Sequence, residues 1–174
     1  MQTAALMLAA ARESANEFDR IVRAREAQLL RIAYRVLGNW ADAEDVVQDA
    51  FLRLHRHGME FADESALNAW LYRVTINRCI DRSRSFTRIA EMPDMPASDF
   101  SAEAEAVRAQ QKRRLMQAMA TLPAKERAAI VLREIEELST AEVAAILGST
   151  EGTVRSQVSK AITRLRGLLS KEER

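Results

Sequence analysis

The chain holds 174 residues, 48% of them hydrophobic, with 26 basic and 25 acidic residues for a net charge of +1. That is enough for one compact domain or two small ones, and the even charge points to no partner, so a nucleic-acid footprint has to come from charge segregated along the chain. A single cysteine, Cys79, excludes an internal disulfide framework and fits a reduced, cytoplasmic setting, and no apolar run approaches the roughly 20 residues of a membrane span.

Five Gly, three Pro and 5% aromatics leave a chain of helix formers. The opening MQTAALMLAAAR has no basic residue before its short apolar stretch, and Arg12 and Glu13 follow at once. It reads as part of a non-secretory N-terminal extension, residues 1–17. From Phe18 to Leu37, the apolar residues Phe18, Ile21, Val22, Leu29, Ile32, Ala33, Val36 and Leu37 recur at helix spacing. Gly38-Asn39 closes that helix. A second helix is predicted from about Ala41 to His55, with Val46, Val47, Ala50, Phe51 and Leu54 on one face. After a polar loop, a third runs from near Ser65 to about Arg84, with Leu67, Trp70, Leu71, Val74 and Ile80, joined by Cys79, as its stripe.

Residues 88–105 carry Glu91, Asp94, Asp99, Glu103 and Glu105 against one Arg, with Pro93 and Pro96 between them. This is an acidic linker, and it divides the chain into domains at 18–87 and 106–174. Beyond it a helix runs from about Ala102 to Met119. Leu122-Pro123 starts another, predicted to reach Glu136. Ser139-Thr140-Ala141-Glu142 has the form of a capping box opening a short helix to Leu147. Gly148 ends that helix, and Thr150 caps the last one, which reaches about Leu169. The expected fold class is all-α: two small helical domains joined by a flexible linker.

A short helix, a turn with Gly and a longer helix form a helix-turn-helix. Val154, Val158, Ala161, Ile162 and Leu165 share one face of the last helix and pack inward. The opposite face holds Ser156, Ser159, Lys160 and Thr163, flanked by Arg155. These are donors for phosphates and base edges, and they point to DNA contact. A repressor, a recombinase and an initiation factor can all carry such a motif, so the N-terminal half has to decide.

There, Asp42, Asp45, Gln48 and Asp49 form an acidic strip that suits a partner protein with basic groups and repels DNA. The next helix is basic, with Arg73, Arg78, Arg82 and Arg84, then Arg88, against Asp81. With Asn and an adjacent loop, such a helix can hold phosphates and unstacked bases.

Three stretches carry a family resemblance: LLRIAYRVLGNWADAEDVVQDAFLRLHR, AWLYRVTINRCIDRSR, and LPAKERAAIVLREIEELSTAEVAAILGSTEGTVRSQVSKAITRLR. With them the chain resembles bacterial sigma factors of the sigma-70 class, in the short two-domain ECF (extracytoplasmic function) group, over nearly everything from residue 20 to 168. The resemblance implies a region 2-like domain (18–87), whose second helix binds the β′ coiled coil of core RNA polymerase through Asp45, Gln48 and Asp49. It implies base capture at the promoter's −10 element by the loop of roughly 57–65. Melting is supported by the third helix, with Arg73, Asn77, Arg78, Arg82 and Arg84 as the −10 and melting residues. A region 4-like domain (106–174) docks on the β flap and reads the −35 element with Arg155, Ser156, Ser159 and Lys160. An anti-sigma factor is a candidate further partner. No cofactor, metal or catalytic residue is implied, and no membrane insertion. A basic residue is frequent in the family at Gln157 and an aromatic or His at Ser159; these departures keep the DNA-binding role and leave the exact −35 sequence open.

Smaller signals have bland readings. His55 and His57 alternate on their helix and make no metal site. Cys79 and Trp70 read as core, and Trp40 as a contact with the acidic helix. The carboxylates have no nucleophile or phosphate loop near them and read as a docking strip. The remaining alternative is a helix-turn-helix repressor or activator that acts without polymerase.

Overall fold

The computed structural model describes the backbone of residues 2–58, 60–83 and 102–170, and the side chains of 15–58, 60–83 and 107–170. Among these residues there are seven α-helices and no strand. The first, α1 (Gln2–Leu37), is continuous through both the expected extension and the expected first helix. It is followed by α2 (Trp40–His57), α3 (Glu64–Ser83), α4 (Ala102–Ala120), α5 (Ala124–Ile130), α6 (Thr140–Leu147) and α7 (Glu151–Leu169). Residues 88–101 of the predicted linker lie outside the described residues, and 102–105 begin α4.

Local chemistry sets the helix ends. Gly38 takes a left-handed φ of 72°, which lets its N–H bond the carbonyl of Tyr34 and turn the chain into α2. The Asn39 side chain then accepts from the N–H of Asp42 and caps α2. The expected capping box is complete: Ser139 Oγ accepts from the Glu142 N–H at 3.2 Å, and Glu142 Oε2 accepts from the Ser139 N–H at 2.7 Å. The Ser139 hydroxyl and backbone N–H, both set beside the Glu142 carboxylate, hold that carboxyl below its ordinary range.

Two expectations change. The helix opened by Pro123 does not run straight to Glu136. After Ile130 it widens into a π-helical turn over Val131–Ile135, with the Glu136 N–H bonding the carbonyl of Val131 at 3.0 Å. Glu137 then turns the chain at a φ of 56°, which a residue with a Cβ rarely adopts. On α3 the buried set is Leu67, Leu71, Thr75, Ile76 and Cys79, so Thr75 and Ile76 take core places while Val74, Trp70 and Ile80 are only half-buried.

The core is continuous across both halves of the chain. Leu29, Ile32, Val36 and Leu37 of α1 pack with Val46, Val47 and Leu54 of α2 and Leu71 and Ile76 of α3. The same cluster extends through Met119, Leu122, Val131, Leu132, Val143, Ile146 and Val154. Polar groups fasten the joint. Arg35 Nη1 and Gln28 Nε2 donate to Glu136 at 2.8 and 3.1 Å, and Gln28 Nε2 also reaches the Tyr72 hydroxyl at 2.6 Å. Arg127, buried, donates to the carbonyls of Ala120 and Leu122 in its own half and to that of Val36 in the other.

Candidate functional site

The candidate surfaces lie on α2, α3 and α7, the helices whose outer faces the joint leaves open. On α2, burial of Ala43, Val46, Val47, Ala50, Phe51 and Leu54 turns the other side outward. Asp45 and Gln48 are exposed, and Asp42 and Asp49 half-buried. Leu52, one turn on from Gln48, is 55% exposed and continues that face. Sequence reasoning passed over it, although its place four residues after Gln48 was the available signal.

The acidic strip is not isolated. Arg78 Nε lies 2.6 Å from Asp49 Oδ2, Arg53 Nε 3.2 Å from the same oxygen, and Arg82 bridges Asp42 and Asp45 at 2.7 and 2.9 Å. Burial raises the Asp49 carboxyl, but the guanidinium groups of Arg78 and Arg53 outweigh that and hold it below its ordinary range. Thus two of the basic residues expected at the −10 element meet two of the acids expected at polymerase. Arg73 and Asn77 point elsewhere: both are exposed, with no side-chain bond among the described residues. Arg84 lies outside the described residues.

The loop between α2 and α3 starts from an aromatic cluster that the sequence reading did not foresee. His57 stacks on Phe61 with ring centroids 5.0 Å apart, and Trp70 meets them at 5.3 and 5.8 Å. Trp70 is therefore the half-buried floor beneath this loop, not a purely internal residue. Trp40 packs on Tyr34 and donates to Glu44 at 2.8 Å, which is the contact with the acidic helix that the sequence predicts. Cys79 is fully buried, and burial pushes its thiol well up, away from thiolate chemistry.

On α7, Val154, Ala161 and Leu165 are buried and Val158 and Ile162 partly so, as the helical wheel requires. Arg155, Ser156, Ser159 and Lys160 are all exposed, brought together on one side of the helix. Thr150 caps the helix by accepting from the Thr153 N–H, and Arg155 rests 3.3 Å from Glu151. A recess of about 600 Å³ opens beside this face, lined in part by Ser156, Gln157, Lys160, Lys125 and Glu126. Glu126 is a buried carboxylate under α7, with Arg164 Nη1 3.1 Å from its Oε2. Gln157 is half-buried against this side, and its Oε1 is buried without a hydrogen-bond partner among the described residues.

A helix-turn-helix with an open polar face, behind a charge-patterned three-helix unit, also appears in known proteins. The profile "Sigma-70 region 2" matches residues 21–89, and "Sigma-70, region 4" matches 112–165. The ECF RNA polymerase sigma factor SigM of Mycobacterium tuberculosis is 36% identical over 155 residues, covering 87% of this chain and 76% of its own. The chain is a sigma factor of the sigma-70 family. It falls in the extracytoplasmic function group to which SigM's name assigns that relative, and the RNA polymerase sigma-E factor of Streptomyces avermitilis is likewise similar, 35% identical over 86% of this chain and 83% of its own. Among solved structures, the sigma factor RpoE of Bartonella quintana, in complex with the anti-sigma factor NepR, superposes with a TM-score of 0.66 at 27% identity. That match covers 88% of this chain and 97% of RpoE. As a sigma factor, the protein binds core RNA polymerase and directs promoter-specific initiation of transcription. Its family acts in regulating transcription, and the alternative of a repressor working without polymerase is not favoured. Among the described residues no helix is long and apolar enough to cross a membrane.

Proposed function

We propose that this sigma factor divides its work between two domains, 18–87 and 106–174. The first docks on the β′ coiled coil of core polymerase through Asp45, Gln48 and Asp49, and supports −10 melting from α3. The second docks on the β flap and reads the −35 element with Arg155, Ser156, Ser159 and Lys160. The observation that carries this reading is the split of α7: its apolar residues are consumed by the core while those four polar residues stay exposed together. Hydroxyl, guanidinium and ammonium donors in this arrangement suit phosphates and the acceptors of the major groove. The chain acts in the cytoplasm without catalysis, and an anti-sigma factor of the kind seen with RpoE is a further partner.

Reconstitution with core polymerase tests the division. Arg155→Ala and Lys160→Ala should reduce −35-dependent transcription several-fold while core binding persists. Gln48→Ala with Asp49→Ala should instead lower affinity for core. Wild-type transcription from the first pair would refute the reading face; wild-type core affinity in the second would refute the docking face.

A further inference from the structure

Helix α3 presents two polar faces, and the structure assigns them different tasks. At about 100° per residue, Arg73 and Asn77 lie within about 40° of each other, whereas Arg78 and Arg82 lie about 140° and 180° round from Arg73. Arg73 and Asn77 are exposed and hold no side-chain bond among the described residues. Arg78 and Arg82 are spent on α2: the first on Asp49 at 2.6 Å, the second on Asp42 and Asp45 at 2.7 and 2.9 Å.

On the docking reading above, we propose that Arg78 and Arg82 are positioning residues of the polymerase interface and not contacts to promoter DNA. The cleft they occupy is also lined by Asp45, Asp49 and Asp81. A phosphate approaching either guanidinium there meets three carboxylates, which repel it. A protein partner's basic groups find the opposite. Without the arginines, Asp45 and Asp49 stand one helical turn apart and repel each other, and their side chains sample several rotamers. With them, the carboxylates are held before the partner arrives, so less ordering is lost on docking. Pairing also brings the strip close to charge balance. A balanced mosaic docks selectively, where a bare acidic strip attracts any basic surface.

The test measures core affinity and promoter melting separately on the full chain. Labelled wild type, Arg78→Ala, Arg82→Ala and the double variant are titrated with core polymerase. The double variant should bind core about fivefold to twentyfold more weakly. With core raised to saturation, permanganate reactivity of −10 thymines should return to the wild-type level. In a double-mutant cycle, Arg78→Ala should cost little once Asp49→Ala is present, and Arg82→Lys should restore part of the affinity lost in Arg82→Ala. Thermal midpoints should stay level, since exposed pairs add little stability. Unchanged core affinity in the double variant, or melting still impaired at saturating core, overturns the proposal. An Asp45→Ala/Asp49→Ala control that keeps full core affinity refutes the docking reading itself, and this proposal falls with it.

Discussion

Arg127 Nη1 donates to the carbonyl oxygen of Val36 at 2.6 Å, across 91 positions of sequence. The bond ends α1, whose last carbonyls have no intrahelical partner, with a side chain from the other half of the molecule. The same guanidinium satisfies Ala120 and Leu122 at 2.7 and 2.8 Å, so one buried cation closes the end of α4 and ties it to α1. Burial lowers its pKa, but a guanidinium stays charged throughout the range in which the fold is used.

Arg127→Ala should therefore be among the more damaging single changes. It strands three carbonyls that have little access to water, at a cost of about 2–4 kcal/mol. Arg127→Lys should recover only part of this, because one ammonium cannot span the fork. Urea denaturation followed by helix signal checks both, with Arg127→Lys lying between wild type and Arg127→Ala.

The other fastening, Glu136 with Arg35 and Gln28, is polar and should be separable. On the proposed division the two domains read elements 25 positions, or about 85 Å of B-form DNA, apart, and parting the joint would let them reach both. Glu136→Lys places a cation against Arg35. It should increase the radius of gyration in solution scattering while leaving helix content near wild type. An unchanged radius would mean that the apolar part of the joint suffices by itself.

Much of this was legible in the chain because period and caps are local properties. The α7 wheel, the Ser139 box and the Gly38 and Gly148 ends needed only neighbours within four residues. Thr75, Ile76 and Glu126 were not legible, because what buries them comes from distant helices. The pairing of Arg78 and Arg82 with the α2 acids was hidden for the same reason: spacing gives the face of a helix, not what that face meets. The π-helical turn has no local sequence mark that sets it apart from ordinary helix.

Glu137 sits at a φ of 56° immediately after that turn. A left-handed residue with a Cβ costs about 1–2 kcal/mol, part of which Glu137→Gly gives back through greater freedom of the unfolded chain. The net expectation is a gain of about 0.5–1 kcal/mol, read as a thermal midpoint a few degrees higher.

Stability should fall away on both sides of a neutral plateau. Asp49 and Glu142 have pKa values lowered by folding. Their contribution is present above the ordinary carboxylate range and is lost as pH falls through the lowered values. Tyr34 and Tyr72 are raised by burial, Tyr72 also by the charge of Glu136. Their neutral forms are favoured in the fold, so stability is full below about pH 10 and declines as pH rises through their raised values. Thermal midpoints across pH check this, and Glu142→Gln should flatten the acid limb.

Leu52 offers a sharper probe of the docking proposed for α2. At 55% exposure it is the most exposed large hydrophobic residue among those described, and it continues the face of Asp45 and Gln48. Burying a leucine against a partner is worth about 1.5–3 kcal/mol, and tenfold in affinity corresponds to about 1.4 kcal/mol. Scaled to the 55% of the side chain still open to a partner, Leu52→Ala should weaken core polymerase binding about fourfold to fifteenfold, with Leu52→Met close to wild type. Docking driven only by the charged strip predicts equal affinity for all three proteins. Titration at two salt concentrations separates these cases: the loss in Leu52→Ala should persist at high salt, where the contribution of the carboxylates is screened.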